Sequence, residues 1–273
     1  MKNIFVWLAM VLLATCSYGA YTDLQWDIKY DADKLPTNTS TNPTPVQAWN
    51  GTAYMDASRF TAAGTAAATV LTNVNSGVLF ASTLGLVTNG DAYWSRNLTG
   101  GYPTGTVLPQ ASVGYTTEMR LKMISTENTA SFFFAMDEGT SGVDKYWSLR
   151  FSENPSGLDA GMYVYIVGAN IGFTTLVDAG TARNFHTYRV VSNPTSFSLY
   201  IDGDITAADT RNYGATAYNK FLFGDTAATT SADMSYELDY IGIYSRGAVV
   251  PEPATMLLLG VGNLCLSLRK KHN

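Results

Sequence analysis

Between residues 21 and 248, apolar and polar positions follow a period of two, and a helical period is hard to find. Phe197, Leu199 and Ile201 alternate with Ser198 and Tyr200, the pattern of a strand with one buried face. Strands are predicted at Thr116–Ile124, Ala130–Met136, Tyr146–Phe151, Gly161–Val167, His186–Val191, Phe197–Ile201, Lys220–Phe223 and Tyr236–Tyr244. Phe132-Phe133-Phe134 and the run from Tyr163 to Val167 are apolar at successive positions, which suits strands deep in a sandwich with both faces covered. Turn residues stand between the strands, as in Asn154-Pro155-Ser156-Gly157, Asn193-Pro194 and Asp202-Gly203. Many short strands so punctuated predict an all-β antiparallel sandwich or barrel. The stretch Pro36–Pro45 is polar and poor in strand formers, hence a surface loop or linker. The piece before it, Leu24–Tyr30, is too short to bury a core alone and is expected as an edge strand of the same sandwich.

The pattern changes at both ends. Residues 1–19 carry Lys2, an apolar run from Ile4 to Ala14, and small residues at Ser17 and Gly19. That order is a secretory signal peptide, with cleavage between Gly19 and Ala20. A buried N-terminal helix and a lipid-bearing Cys16 are the alternatives; Thr15 before Cys16 fits a lipidation motif poorly. At the other end, residues 254–268 hold no charge and are followed by Arg269, Lys270 and Lys271. As a helix this apolar run spans ~22 Å, short of a ~30 Å hydrocarbon core, so it is a marginal anchor. The basic cluster belongs on the cytoplasmic side of an inner membrane and sets the rest of the chain outside. Just ahead of the run, Pro251 and Pro253 flank Glu252, which keeps this segment out of helix and central strand.

Residues 249–273 thereby resemble the PEP-CTERM sorting signal: Pro-Glu-Pro, a short apolar helix, and a terminal basic cluster, in that order. The resemblance implies recognition by an exosortase, a membrane-embedded cysteine transpeptidase, in a bacterium that makes extracellular polysaccharide. Asn263 inside the apolar run and His272-Asn273 after the bases depart from the pattern. A eukaryotic lipid-anchor signal is the competing reading, but such signals end apolar.

A second resemblance lies in the body. FHTYRVV at Phe185–Val191, SFSLYIDGD at Ser196–Asp204 and LDYIGIYSRGAV at Leu238–Val249 look like a laminin-G-like, concanavalin A-type jelly roll, and GYTTEMRLKM at Gly114–Met123 fits an earlier strand of it. The likeness covers residues 110–248 well and 21–110 loosely. It implies a jelly-roll sandwich over residues 20–248 and a lectin-like role. Asp202-Gly203 supplies the left-handed positions of the turn after its strand.

Composition narrows the chemistry. Charged residues are 14% of the chain, so the surface is largely uncharged and rich in Thr, Ser, Asn and Gly. Lys2, Arg269, Lys270 and Lys271 lie in the ends; without these four of its 17 bases the rest of the chain sets 13 against 22 acids, or −9. Nucleic-acid binding needs a concentrated cationic footprint and is excluded as an expectation. The two cysteines, Cys16 and Cys265, both sit in the ends, so the body holds neither a disulfide nor a thiolate metal site.

Catalytic candidates are few. Glu237-Leu238-Asp239 sits where glucanases on the same scaffold carry a nucleophile, an aspartate and an acid/base on alternate positions of one strand. Retaining hydrolysis needs two carboxyls ~5 Å apart, and the second glutamate is missing, with Ile241 and Gly242 in its place. His186 is the body's only histidine, no serine stands in a G-x-S-x-G elbow, and a His-based zinc site lacks ligands. Calcium stays open as a cofactor through Asp137-Glu138, Asp178, Asp202-Gly203-Asp204 and Asp225, although acids beside turns are ordinarily turn formers. Trp26, Trp49, Trp94, Trp147, Tyr213 and Tyr218 are candidates for stacking on sugars, or equally for filling the core. The expectation is an exported, non-catalytic surface or matrix protein that binds polysaccharide or packs within such a layer. A secreted jelly-roll glycoside hydrolase and a protein adhesion module are the alternatives.

Overall fold

The computed structural model describes residues 26–32, 47–49, 53–55, 61–63, 71–84, 92–97, 109–110, 112–127, 129–136, 144–153, 161–168, 184–216, 220–225 and 233–250. Every regular element among them is a β-strand, and every pairing is antiparallel. One sheet is built around the strand nearest the C-terminus. β17 (Met234–Tyr244) pairs along its length with β8 (Tyr115–Thr126). Its other edge is shared: Ser235–Leu238 pair with β6 (Val78–Ser82), and Tyr240–Ile243 pair with β1 (Ile28–Asp31). Beyond β8 lie β12 (His186–Ser192), β13 (Ser196–Ile201) and β14 (Asp209–Asn212), and beyond β6 lies β5 (Leu71–Asn75).

The second sheet runs β11 (Met162–Val167), β10 (Asp144–Glu153), β9 (Thr129–Met136), β16 (Lys220–Asp225), β7 (Ala92–Asn97) and β4 (Thr61–Ala63), with β15 (Gly214–Thr216) on the first residues of β10. β2 (Gln47–Trp49) and β3 (Ala53–Met55) pair separately. Aromatic rings join the two large sheets face to face. Phe132 meets Tyr236 edge-on at 4.9 Å, Phe151 meets Tyr188 at 5.5 Å, and Trp147 stacks on Phe197 at 6.1 Å while its Nε1 donates to the Tyr115 hydroxyl at 2.7 Å. The all-β antiparallel sandwich read from the sequence is therefore the fold, and the predicted strands stand within a residue or two of the observed ones.

Three local expectations change. Phe132 and Phe133 do not cover opposite faces: Phe132 is the extra residue of a bulge on β9, facing the step from Leu149 to Arg150 on β10, and both rings enter the core. β11 ends its sheet among the described residues, yet all of its residues are buried, as its apolar run predicts. Just past it, Gly168 packs against the carbonyl of Asn212 at the end of β14, where a side chain at Gly168 would collide. On β13, Ser198 and Tyr200 are buried as well as Phe197 and Leu199, so this strand has no solvated face. The expected N-terminal edge strand is β1, which starts later than predicted and places Tyr30 in the core.

A second bulge sets the chemistry of the outer face. Leu238 stands opposite Leu121 and Tyr240 opposite Arg120, so Asp239 is the extra residue. Core positions on β17 consequently pass from Met234, Tyr236 and Leu238 to Ile241 and Ile243, and the outward set becomes Glu237, Asp239 and Tyr240. Near the Tyr240 end this outer face is buried. Glu118 and Arg189, cross-strand partners on β8 and β12, have side chains 1% and 2% exposed. Arg189 Nε donates to Glu118 Oε2 at 2.7 Å, and the Tyr240 hydroxyl donates to Oε1 at 2.6 Å. Burial, then the charge and hydrogen bond of Glu118, push the Tyr240 hydroxyl far above its ordinary range despite Arg189, so it stays a donor. Arg189→Met is expected to lower the unfolding free energy by ~3–5 kcal/mol in urea titrations, because Glu118 is then buried without its cation. Replacing both residues by apolar ones of similar volume is expected to recover most of that loss.

Candidate functional site

The carboxylates singled out in the sequence lie together on the half-exposed part of this outer face. Glu237 Oε2 accepts from Lys122 Nζ at 3.0 Å, directly across β8. Asp239, pushed outward by the bulge, is bonded to the guanidinium of Arg120. These four side chains are 29% to 43% exposed, so the patch is open to solvent and electrically balanced, with two acids on two bases. Phe185 lies under the Arg120 guanidinium at 4.8 Å, and Phe80 of β6 stands opposite Glu237. Ile241, where a second glutamate would be required, is 1% exposed and in the core, and Trp26 lies over Gly242 so closely that no Cβ fits. β17 thus supplies one glutamate on this patch, already committed to a lysine, and an aspartate committed to an arginine.

His186 packs as expected and does more. Its Nδ1 is bonded to the Asp202 carboxylate, whose other oxygen accepts from the Thr187 amide at 2.8 Å. Asp202 and Gly203 have φ of 50° and 87°, and the Asp204 amide closes their turn on the Ile201 carbonyl at 3.0 Å. Asp202 therefore ties the end of β13 to the start of β12. Of the other acids considered for calcium, Asp225 is buried and accepts from the Thr83 hydroxyl at 2.9 Å, and Asp137, Glu138 and Asp178 lie outside the described residues. No group of three metal-ligating side chains occurs among the described residues.

The aromatic candidates separate clearly. Trp147 is fully buried and Trp26 is 5% exposed, so neither offers a free face to a sugar. Tyr213 sits between β14 and β15, half-buried, with its ring 5.2 Å from Phe197 and its hydroxyl donating to the Asn193 carbonyl at 2.8 Å. Trp49 and Trp94 fall on β2 and β7, but their side chains and all of Tyr218 are outside the described residues. So are Gly19, Ala20, the motif Pro251-Glu252-Pro253, the apolar run 254–268 and Arg269, Lys270 and Lys271; the described chain reaches Val250. The residues that sequence reading passed over, Glu118, Arg189 and Asp27, are recognisable only through partners on distant strands.

Partial burial pushes the Asp202 carboxyl up, but the hydrogen bonds from His186 and the Thr187 amide and the charges of His186 and Arg120 outweigh it, leaving it below its ordinary value of 3.8. On acidification the unfolded chain takes up this proton first. The carboxylate's stabilisation is then complete above the ordinary value and is lost as pH falls through the lower folded one. The gap in urea midpoint between wild type and Asp202→Asn is expected to be open at about pH 6 and to close toward about pH 3.

Residues 249–271 match the PEP-CTERM protein-sorting motif. No curated protein matches the chain. Among solved structures, the binding domain of botulinum neurotoxin serotype G aligns at 9% identity with a TM-score of 0.38, over 72% of this chain and 46% of that one. The serotype D binding domain aligns at 13% and 0.39, over 77% and 49%, and a serotype D/C binding domain at 10% and 0.41, over 86% and 52%. This chain spans about half the length of the solved chains it matches. The sorting motif marks the chain as exported, held at the membrane through its C-terminal segment, and processed there by a membrane enzyme of the exosortase type.

Proposed function

We propose that this is a non-catalytic binding protein of the cell surface or extracellular matrix, whose sandwich engages polysaccharide after the tail has been processed. The observation that carries the reading is the pairing of both candidate carboxylates, Glu237 with Lys122 and Asp239 with Arg120. A retaining glycosidase needs one ionised and one protonated carboxyl facing each other across the bond to be cut. Here each carboxylate is bonded to a cation instead, and neither faces a second carboxyl. The same four groups serve recognition well: planar and charged side chains give strong hydrogen bonds to hydroxyls, and their balanced charge suits a neutral polymer better than an acidic one. Phe185 and Phe80 flank the charged row and add apolar surface for the hydrophobic faces of sugar rings.

Two experiments test this. On a glycan array with and without calcium, the exported protein is expected to retain neutral polysaccharides in both conditions, and Arg120→Ala is expected to weaken retention about tenfold, as when a hydrogen-bonded charge is lost. Absence of glycan retention, or release of reducing sugar that disappears in Glu237→Gln, would reject the reading in favour of a structural role or a hydrolase. For the tail, alanine at Pro251, Glu252 and Pro253 is expected to stop processing, seen as an unshortened mass in the membrane fraction. A mutant with the mature mass and location would contradict it.

A further inference from the structure

The chain between β17 and the sorting motif does not hang free. It is strapped to the body at both of its ends. The Ser245 amide donates to Asp27 Oδ2 at 2.8 Å and Arg246 Nε donates to Asp27 Oδ1 at 2.9 Å. Asp27 itself has a side chain 3% exposed, and its amide donates to the Ile243 carbonyl at 2.9 Å, so the anchor is part of the sheet. Further on, the Thr116 hydroxyl is engaged twice: it donates to the Gly247 carbonyl at 3.3 Å and accepts from the Val249 amide at 2.8 Å. Thr116 is fully buried on β8. Between these anchors Ala248 lies on Gly114, whose φ of 88° and lack of a side chain let the strap approach; a Cβ there would stand 3.3 Å from that of Ala248 and 2.9 Å from the Ser192 carbonyl.

The last strapped atom, the Val249 amide, is two residues from Pro251. Two residues reach ~7 Å at full extension. A single α-helix is ~10 Å across. While the strap is docked, the reach of the chain from Val249 to the motif is therefore less than the width of one helix of an approaching enzyme. Releasing residues 245–250 raises that reach to roughly 20 Å. The strap is closed by side chains from β8 and from the residue before β1, so it forms only when the larger sheet has closed.

We propose that this strap gates the processing of the tail: in the folded body the sorting motif is held too close to the sandwich for the membrane enzyme, and cleavage proceeds from the minor population in which residues 245–250 have peeled away. The proposal rests on processing at the motif by a membrane enzyme. It adds a regulatory element in this chain's own residues, Asp27, Thr116 and Gly114, none of which belongs to the motif.

The test follows mature-mass product over time in cells that make the exosortase, for the full chain, for Thr116→Val, and for a chain with about ten Gly/Ser residues inserted between Val250 and Pro251 to supply reach without opening. Thr116→Val is expected to speed processing about fivefold, the factor for loss of a hydrogen bond. The insertion is expected to speed it at least as much, and the two changes together are expected to act no faster than the insertion alone. Amide hydrogen exchange on the uncleaved full chain gives a readout independent of the enzyme: protection at Val249 is expected to fall in Thr116→Val while the amides of β8 and β17 keep theirs. Equal processing rates in all three chains would overturn the gate and leave processing itself intact. Slower processing in Thr116→Val with an unchanged urea midpoint would overturn it too, since the docked strap would then be what the enzyme recognises. Failure of the wild-type chain to be processed at all would remove the processing reading and the gate together.

Discussion

A strand in the middle of a sheet must satisfy hydrogen bonds on both edges at once, and here that position is held by β17, which sequence order brings last. One edge of β17 is committed to β8 and the other is divided between β6 and β1, so strands from the first and middle thirds of the chain meet on one from the last. Its two sets of side chains do different jobs. Tyr236, Leu238, Ile241 and Ile243 enter the core against the second sheet, while Glu237, Asp239 and Tyr240 each bind a side chain of β8. The bulge at Asp239 reconciles the two, because a strict period of two cannot put both Leu238 and Ile241 inward.

The buried pair of Glu118 and Arg189 gives this arrangement its register. Desolvating two charges is costly, and their attraction repays it only with good geometry and further hydrogen bonds, which the Tyr240 hydroxyl provides. A slip of one residue between β8 and β12 would turn one charge into the aromatic core and leave its partner alone. The pair therefore acts mainly against wrong alignments. Farther along the same face Arg120 and Lys122 meet their acids with water nearby, where ion pairs contribute little to stability and remain free to exchange partners. One strand neighbourhood thus holds a locking half and an adaptable half, and the candidate ligand patch is the adaptable one.

What the sequence disclosed follows from which forces are local. Strand-forming residues in Phe197–Ile201 and the turn chemistry of Asp202-Gly203 act within a few residues, and the position of β13 and its turn agree with them, although burial of Ser198 and Tyr200 does not follow from the alternation. The tail motif is likewise contiguous, and it was legible as it stands. Bulges are defined by a partner strand, so the inward turn of both Phe132 and Phe133 had no local signature. The β5–β6 hairpin does carry a local signature, a Ser76-Gly77 pair whose φ values are 53° and 79° in the fold. Reading Glu237 and Asp239 as possible acids was sound as far as spacing went. Their counter-ions lie more than a hundred positions upstream, and only the sheet brings them near.

The pairing of β1 with β17 has a further consequence for how the molecule comes into being. Synthesis proceeds from the N-terminus, so β1, β6 and β8 all exist before their shared neighbour has been made. Until it arrives, the nascent sheet is split along its middle and presents bare strand edges of the kind that capture other chains. Closing the split is a single insertion, and it is made by the segment directly joined to the membrane-held tail. The membrane-held tail therefore keeps that final insertion close to the membrane.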